Sequence, residues 1–174
     1  MGKIIFVIGG ARSGKSTYAL GLANKFKRVA FIATCQGLDK EMRQRIALHK
    51  QSRPKHWETF EEPRDVSKVL KRKEFDCVII DCLTLLISNL LLSGDSISLI
   101  ESKAKEVIAL LKRAKGKAIV ISNEVGMGIV PKNKLSREFR DIAGIVNQAF
   151  ARASDETIFM LSGIPMKLKE KRNA

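Results

Sequence analysis

The stretch Lys3–Ser16, KIIFVIGGARSGKS, decides the fold. After Lys3 the chain is apolar without a break to Ile8. An unbroken apolar run, rather than an alternating one, marks a strand covered on both faces. From Gly9 the sequence reads GGARSGKS, which satisfies G-x-x-x-x-G-K-[ST] at Gly9, Gly14, Lys15 and Ser16. Glycines in such a loop let backbone N–H groups close on an anion with no Cβ in the way, and the helix that follows aims its positive end at the same point. Lys15 then puts a point charge on the β- and γ-phosphates of a nucleotide, and the Ser16 hydroxyl can ligate Mg²⁺. Gly9, Gly10, Ala11, Arg12, Ser13, Gly14, Lys15 and Ser16 are therefore the expected cradle for GTP or ATP.

Outward from the loop, a helix is predicted from about Lys15 to Lys25 and a second buried strand at Val29–Thr34. Asp39 is placed to cap a helix running to about Lys50, with Met42, Ile46 and His49 on one stripe. A short strand at Glu58–Phe60 precedes a helix started by Pro63 and ending near Arg72. Phe75–Asp81 (FDCVIID) is a further buried strand, and the segment after it is helical. Asp95 or Ser96 starts a long helix stopped by Gly116. Ala118–Ser122 is a strand, Asn123–Lys134 a loop and Ser136–Ala153 a helix. Thr157–Leu161 is read as the last strand, followed by a Gly163–Pro165 break and a basic tail. Strands alternating with helices predict an α/β fold: a P-loop NTPase-type three-layer domain, its mainly parallel sheet flanked by helices. No linker or repeat divides the chain, so residues 1–174 are expected to form one domain.

An apolar strand ending in acid, VIID at Val78–Asp81, supplies what a nucleotide-bound metal next needs. A carboxylate at the carboxyl end of a neighbouring strand can hold Mg²⁺ directly or through water. Ser16 and Asp81 are the expected metal ligands. A switch GTPase is disfavoured, because no N-K-x-D guanine-reading motif occurs.

Thirty-two basic against 18 acidic residues give a net charge of +14, which fits nucleic acid, an anionic surface or phosphorylated small molecules. With one Trp and one Tyr there is little to stack on bases, and the cations are dispersed, so a nucleic-acid partner is not expected. Cys35, Cys77 and Cys82 form no C-x-x-C pair; with Cys77 in an apolar strand run and Cys82 just beyond its end, small core residues of a reducing compartment are the default reading. The most apolar later stretch, Leu83–Leu92, is too short to span a bilayer, which takes about 20 apolar residues. With no signal-peptide pattern, a cytoplasmic location is expected.

His49 and His56 are the two histidines. A neutral imidazole is a competent nucleophile toward phosphorus, since its usual pKa of about 6.5 leaves it mostly unprotonated at neutrality. From its own surroundings, however, His49 reads as a packed or helix-capping residue, and His56 beside Trp57 does likewise.

The chain resembles the bifunctional adenosylcobinamide kinase / adenosylcobinamide-phosphate guanylyltransferase family of cobalamin biosynthesis. The resemblance rests on GGARSGKS, FIAT at Phe31–Thr34, DKEMRQRIALHKQSRPKHW at Asp39–Trp57 and IIDCLTLLISNLL at Ile79–Leu91. SNEVGMGIVPKNKLSREFRDIAGIVNQ at Ser122–Gln148 and SGIP at Ser162–Pro165 extend it nearly end to end. It implies two reactions: phosphorylation of the aminopropanol hydroxyl of adenosylcobinamide, then transfer of GMP from GTP to that phosphate through a GMP–histidine intermediate at the position of His49. It further implies that Thr34, Cys35, Gln36, Lys50, Gln51, Ser52, Arg53, Glu61 and Asp81 line the nucleotide site, with Glu61 reading guanine. Lys15 and His49 are the implied catalytic pair, a corrinoid the implied substrate and a homotrimer the implied assembly. Glu124 is placed to assist the metal or the substrate hydroxyl, or to serve the fold alone. The SNEVGMGIVP stretch would then be a lid or a subunit contact.

Overall fold

A computed structural model describes residues 2–37, 40–51, 53–72 and 74–170, apart from the side chain of Arg45. The strands are β1 (Lys3–Gly9), β2 (Val29–Ala33), β3 (Glu58–Glu61), β4 (Cys77–Asp81), β5 (Lys117–Asn123), β6 (Glu156–Leu161) and β7 (Ile164–Glu170). The helices are α1 (Lys15–Ala23), α2 (Lys40–Gln51), α3 (Val66–Leu70), α4 (Leu83–Leu92), α5 (Ile97–Arg113) and α6 (Lys134–Ala153). One mixed sheet runs in the order β3-β2-β4-β5-β1-β6-β7, parallel throughout except for the antiparallel β7.

Each inner strand divides its apolar side chains between two cores, because successive residues point to opposite faces. Ile4, Phe6 and Ile8 join Ile32, Ile80 and Val120 under α3, α4, α5 and α6. Ile5 and Val7 join Phe31, Ile79 and Ile119 on the other face, where Ala19 and Ala23 let α1 lie close. The long helix α6 contributes Ile142, Val146 and Phe150, and Phe150 stacks on Phe6 with ring centroids 6.1 Å apart. The expectation of an α/β fold with a mostly parallel, helix-flanked sheet therefore holds.

Several element ends differ from expectation, each for a local reason. The Asp65 side chain accepts from Lys68 N, so α3 starts at Val66 rather than at Pro63. Asn133 Oδ1 accepts from Ser136 N at 2.7 Å and starts α6 two residues early. β5 continues to Asn123, since β1 pairs with it as far as Gly9. The expected Asp39 cap of α2 lies outside the described residues.

The largest correction concerns the end of the chain. The segment read as a break and tail is β7, folded back on β6. Ser162 (φ 51°) and Gly163 (φ 86°) both occupy the left-handed region, the geometry that a two-residue hairpin turn requires. Pro165 is tolerated because β7 is an edge strand with one side unpaired.

Candidate active site

At the carboxyl edge of the sheet, the segments after β1, β2 and β4, helix α2 and the end of β5 surround a cavity of about 470 Å³. Such an edge is where open α/β sheets collect ligands. The glycine-rich loop forms one wall. Gly9 is obligatory there, because a Cβ would stand 2.3 Å from the Met160 carbonyl oxygen. Gly14 turns the chain into α1 at φ 91°, and no side chain caps the helix, so its first N–H groups face the cavity mouth. The loop is held from behind by the β6–β7 hairpin, where Gly163 N donates to Ser13 O at 3.0 Å.

Lys15 is only 7% exposed and donates from Nζ to the Gly10 carbonyl at 2.6 Å. Burial lowers its pKa, against the pull of Cys82 and Asp81. Across the loop, Ser16 Oγ donates to Asp81 Oδ2 at 3.0 Å. Burial raises the Asp81 carboxyl above the usual carboxylate range, opposed by that hydrogen bond and by His49, Arg53 and Lys15. Arg53 lies with its guanidinium carbon 3.7 Å from the Phe31 ring centre. Burial depresses its pKa too, with Asp81 and Glu61 acting the other way.

Two buried polar groups on this cavity, Ser13 Oγ and Arg53 Nη1, find no hydrogen-bond partner among the described residues. An orphaned guanidinium N–H and an orphaned hydroxyl beside a buried lysine form a donor set that a phosphate would satisfy. Ser16 and Asp81 offer adjacent oxygens, the one or two protein ligands that Mg²⁺ takes when phosphates and water complete its shell. The residues present fit both groups.

The structure brings most of the expected residues together. Ala11, Arg12, Ser13, Gly14, Lys15, Ser16, Cys35, His49, Arg53, Glu61 and Asp81 all line the cavity. Lys50 sits at its rim, ion-paired with Glu61. Gly9 and Gly10 shape the loop from behind, whereas exposed Gln51 and half-buried Gln36 are not lining residues. Ser52 lies outside the described residues. Thr34 is fully buried, and its Oγ1 accepts from Cys82 N and donates to Cys82 O, both at 2.8 Å, so it clamps the chain just after Asp81.

His49 is not the packed residue its stripe suggested. It is exposed on α2, and Met42 and Ile46 from the same stripe line the cavity with it. The apolar face was legible, but it looks onto the site and not into the core. Of the two readings of Glu124, the geometry matches the structural one: its Oε1 accepts from Gly126 N at 2.6 Å, and the cavity-lining residue at this strand end is Asn123. Sequence reasoning missed Asn123. Its one signal was a polar residue closing an apolar strand. Among the described residues no group of three or more His, Cys, Asp and Glu forms a metal cluster, and no helix is long and apolar enough to cross a membrane.

Comparison with known proteins bears on this geometry. Residues 5–168 match the family model described as cobinamide kinase / cobinamide phosphate guanyltransferase. The chain is 42% identical over 180 residues to the bifunctional adenosylcobalamin biosynthesis protein CobU of Salmonella typhimurium, covering 95% of this chain and 99% of that protein. It is 40% identical to the Escherichia coli protein of the same name over the same length and coverage. The Pseudomonas aeruginosa protein CobP is 42% identical over 167 residues, covering 94% of this chain and 95% of that one. A solved structure from Pyrococcus horikoshii OT3 superimposes with a TM-score of 0.56 at 10% identity, covering 98% of this chain and 88% of that one, a likeness of fold alone.

Proposed function

The chain belongs to the cobinamide kinase / cobinamide phosphate guanyltransferase family and has both activities; we propose that both reactions use one P-loop NTPase-type site, with His49 as the nucleophile of the second. The observation that carries this reading is the shared cavity: His49 of α2 and Lys15 of the glycine-rich loop line the same 470 Å³ space.

In the kinase reaction the loop holds the β- and γ-phosphates of the nucleotide, with Lys15 and Arg53 supplying the charge that develops on the transferred group. The aminopropanol hydroxyl of adenosylcobinamide takes the γ-phosphoryl group. In the second reaction the lone pair of neutral His49 attacks the α-phosphorus of GTP, the bond to the β-phosphate oxygen breaks, and pyrophosphate leaves from the loop. A phosphate oxygen of adenosylcobinamide phosphate then attacks the phosphoramidate. Imidazole departs with the electron pair, and adenosylcobinamide-GDP forms. Splitting the displacement in this way replaces one difficult step by two easier ones.

His49, Arg53 and Asp81 line the same cavity, and Arg53, with Lys50 at the rim beside Glu61, would balance the equatorial oxygens. Glu61 would accept from guanine N1–H and the exocyclic amine, with Lys50 as its partner when guanine is absent. Ser16 and Asp81 would hold Mg²⁺, which when bound neutralises phosphate charge and eases departure of the leaving group.

The corrinoid is far larger than the cavity, so part of it lies outside. Met127 (81% exposed) and Ile129 (96% exposed) stand on the loop between β5 and α6, an apolar edge that supports a homotrimer with the corrinoid held between subunits.

The test is incubation with GTP labelled at the α-phosphate and Mg²⁺, followed by denaturation. Acid-labile, base-stable label on the chain, absent from His49→Ala, is the expected result. Label that persists in His49→Ala would move the nucleophile elsewhere. No label on a folded, GTP-binding parent would remove the covalent mechanism.

A further inference from the structure

β5 lies between β1 and β4, so its carboxyl end opens between the glycine-rich loop and Asp81. Gly9 pairs with Asn123, and Asp81 pairs with Ile121 two residues earlier. Residues two apart on a strand share a face, and Ile121 and Asn123 both line the cavity.

The Asn123 side chain is not free to turn. Its Nδ2 donates to Thr84 Oγ1 at 2.8 Å and lies 3.8 Å from Cys82 Sγ. Its main-chain carbonyl accepts from Asn147 Nδ2 at 3.1 Å, and Asn147 Oδ1 accepts in turn from Ser122 Oγ at 2.6 Å. Thr84, Asn147 and Ser122 are all buried. A buried polar network is costly unless every member is satisfied, and once satisfied it holds its members in one arrangement. Here α6, β5 and the first turn of α4 together fix one carboxamide at the cavity wall.

With Nδ2 committed to Thr84, the carboxamide oxygen is the end left for a ligand, and a carbonyl oxygen only accepts hydrogen bonds. Phosphate oxygens are acceptors too and cannot pair with it. It needs a donor, and the donor that a kinase site must bring to this spot is the hydroxyl of the acceptor alcohol.

We propose that Asn123 Oδ1 accepts the hydrogen bond of the substrate alcohol and orients it on the γ-phosphorus in the kinase step, with no part in guanylyl transfer. The inference rests on the kinase reading of the glycine-rich loop and names the residue that serves only one of the two reactions. The alcohol oxygen donates its lone pair to the γ-phosphorus. The bond from that phosphorus to the β–γ bridging oxygen breaks, and its electron pair stays with the nucleoside diphosphate. An amide carbonyl is too weak a base to remove the hydroxyl proton, so the proton stays on the attacking oxygen through the loose transition state and leaves to water once the new phosphorus–oxygen bond has formed. Guanylyl transfer presents a phosphate, not an alcohol, to a phosphorus held by His49 of α2, so it asks nothing of Asn123.

The experiment measures both reactions in Asn123→Ala, Thr84→Val and Lys15→Ala. Asn123→Ala should lower kcat for phosphorylation of adenosylcobinamide by about 10- to 100-fold, the scale on which a misplaced reactant acts. Its nucleotide KM should stay within about threefold, and its GMP labelling from α-labelled GTP should fall by at least about 10-fold less than its kinase kcat. Thr84→Val removes the anchor but leaves the amide, and should produce a smaller fall confined to the kinase step. A kinase kcat within about threefold of the parent in Asn123→Ala, or a parallel loss of labelling, would overturn the proposal. Lys15→Ala should lose both reactions. A kinase that survived that change would instead remove the loop reading, and with it this inference.

Discussion

Lys15 and Arg53 are cations taken out of water before any anion arrives, and burial pulls both below their ordinary pKa. Each is therefore stabilised by a bound phosphate more than an exposed cation would be. Arg53 does this from a fixed plane, stacked on Phe31 with one N–H unsatisfied. Arg53→Lys keeps the charge but loses the stack and the fork, so the KM for GTP should rise about 10-fold in steady-state assays. Gly9→Ala drives a Cβ into the Met160 carbonyl and should cost about 2 kcal/mol in urea unfolding, besides displacing the loop. Buried thiols follow the same logic in reverse. Burial raises Cys77 to about 12 and Cys82 to about 11, so at neutral pH neither should react with a thiol reagent in the folded protein, whereas half-exposed Cys35 should. At this scale the loop was legible because each of its glycines and its lysine answers a steric or charge requirement that few sequences meet by accident. Asn123 and Thr34 were not. What they do depends on Thr84 and Cys82, which only the fold brings near.

Among the elements, β7 was the one misread, and its chemistry explains why. Gly163 and Pro165 are strand breakers when counted along the chain, but here the glycine makes the turn and the proline sits on an edge. The hairpin is tied down by Lys169, whose Nζ donates to the carbonyls of Ala151, Arg152 and Ser154 at 2.8, 2.9 and 2.6 Å, closing the C-terminal end of α6. Helix carbonyls left by the last turn favour a cation at that place. Lys169→Met should lower stability by about 2 kcal/mol, read as a fall in the urea midpoint with an unchanged slope. The buried strands were legible for the opposite reason. Their apolar runs need cover on both faces whatever the topology. The helix bearing His49 shows the limit of periodicity: the stripe Met42, Ile46 and His49 marks a face, but whether that face meets a core or a ligand cavity depends on what lies across from it.

For the molecule as a whole, the two buried thiols give a direction to the alkaline side of the stability curve. Their folded pKa values lie above the unfolded value of 9.0, so the folded state keeps its protons longer. Their contribution is complete below pH 9.0 and is lost as pH rises toward about 11 and 12. Urea midpoints measured across that range should fall, and Cys77→Ala should flatten the fall while lowering the starting stability. The dense positive charge was legible at once, but it did not locate the site. A net +14 belongs to the whole chain, whereas the cations at the cavity include buried Lys15 and half-buried Arg53.

The order of strands in the sheet also sets a timetable. β1, which delivers the glycine-rich loop, has β5 and β6 as its neighbours and pairs with nothing from the first hundred residues that follow it. The loop itself is braced by Gly163. A ribosome therefore writes the glycine-rich loop almost first and can seat it only at the end. While the middle of the chain emerges, β2, β3 and β4 can already pair with one another. The first strand has to wait, and a growing chain cannot use GTP as a scaffold for its own folding.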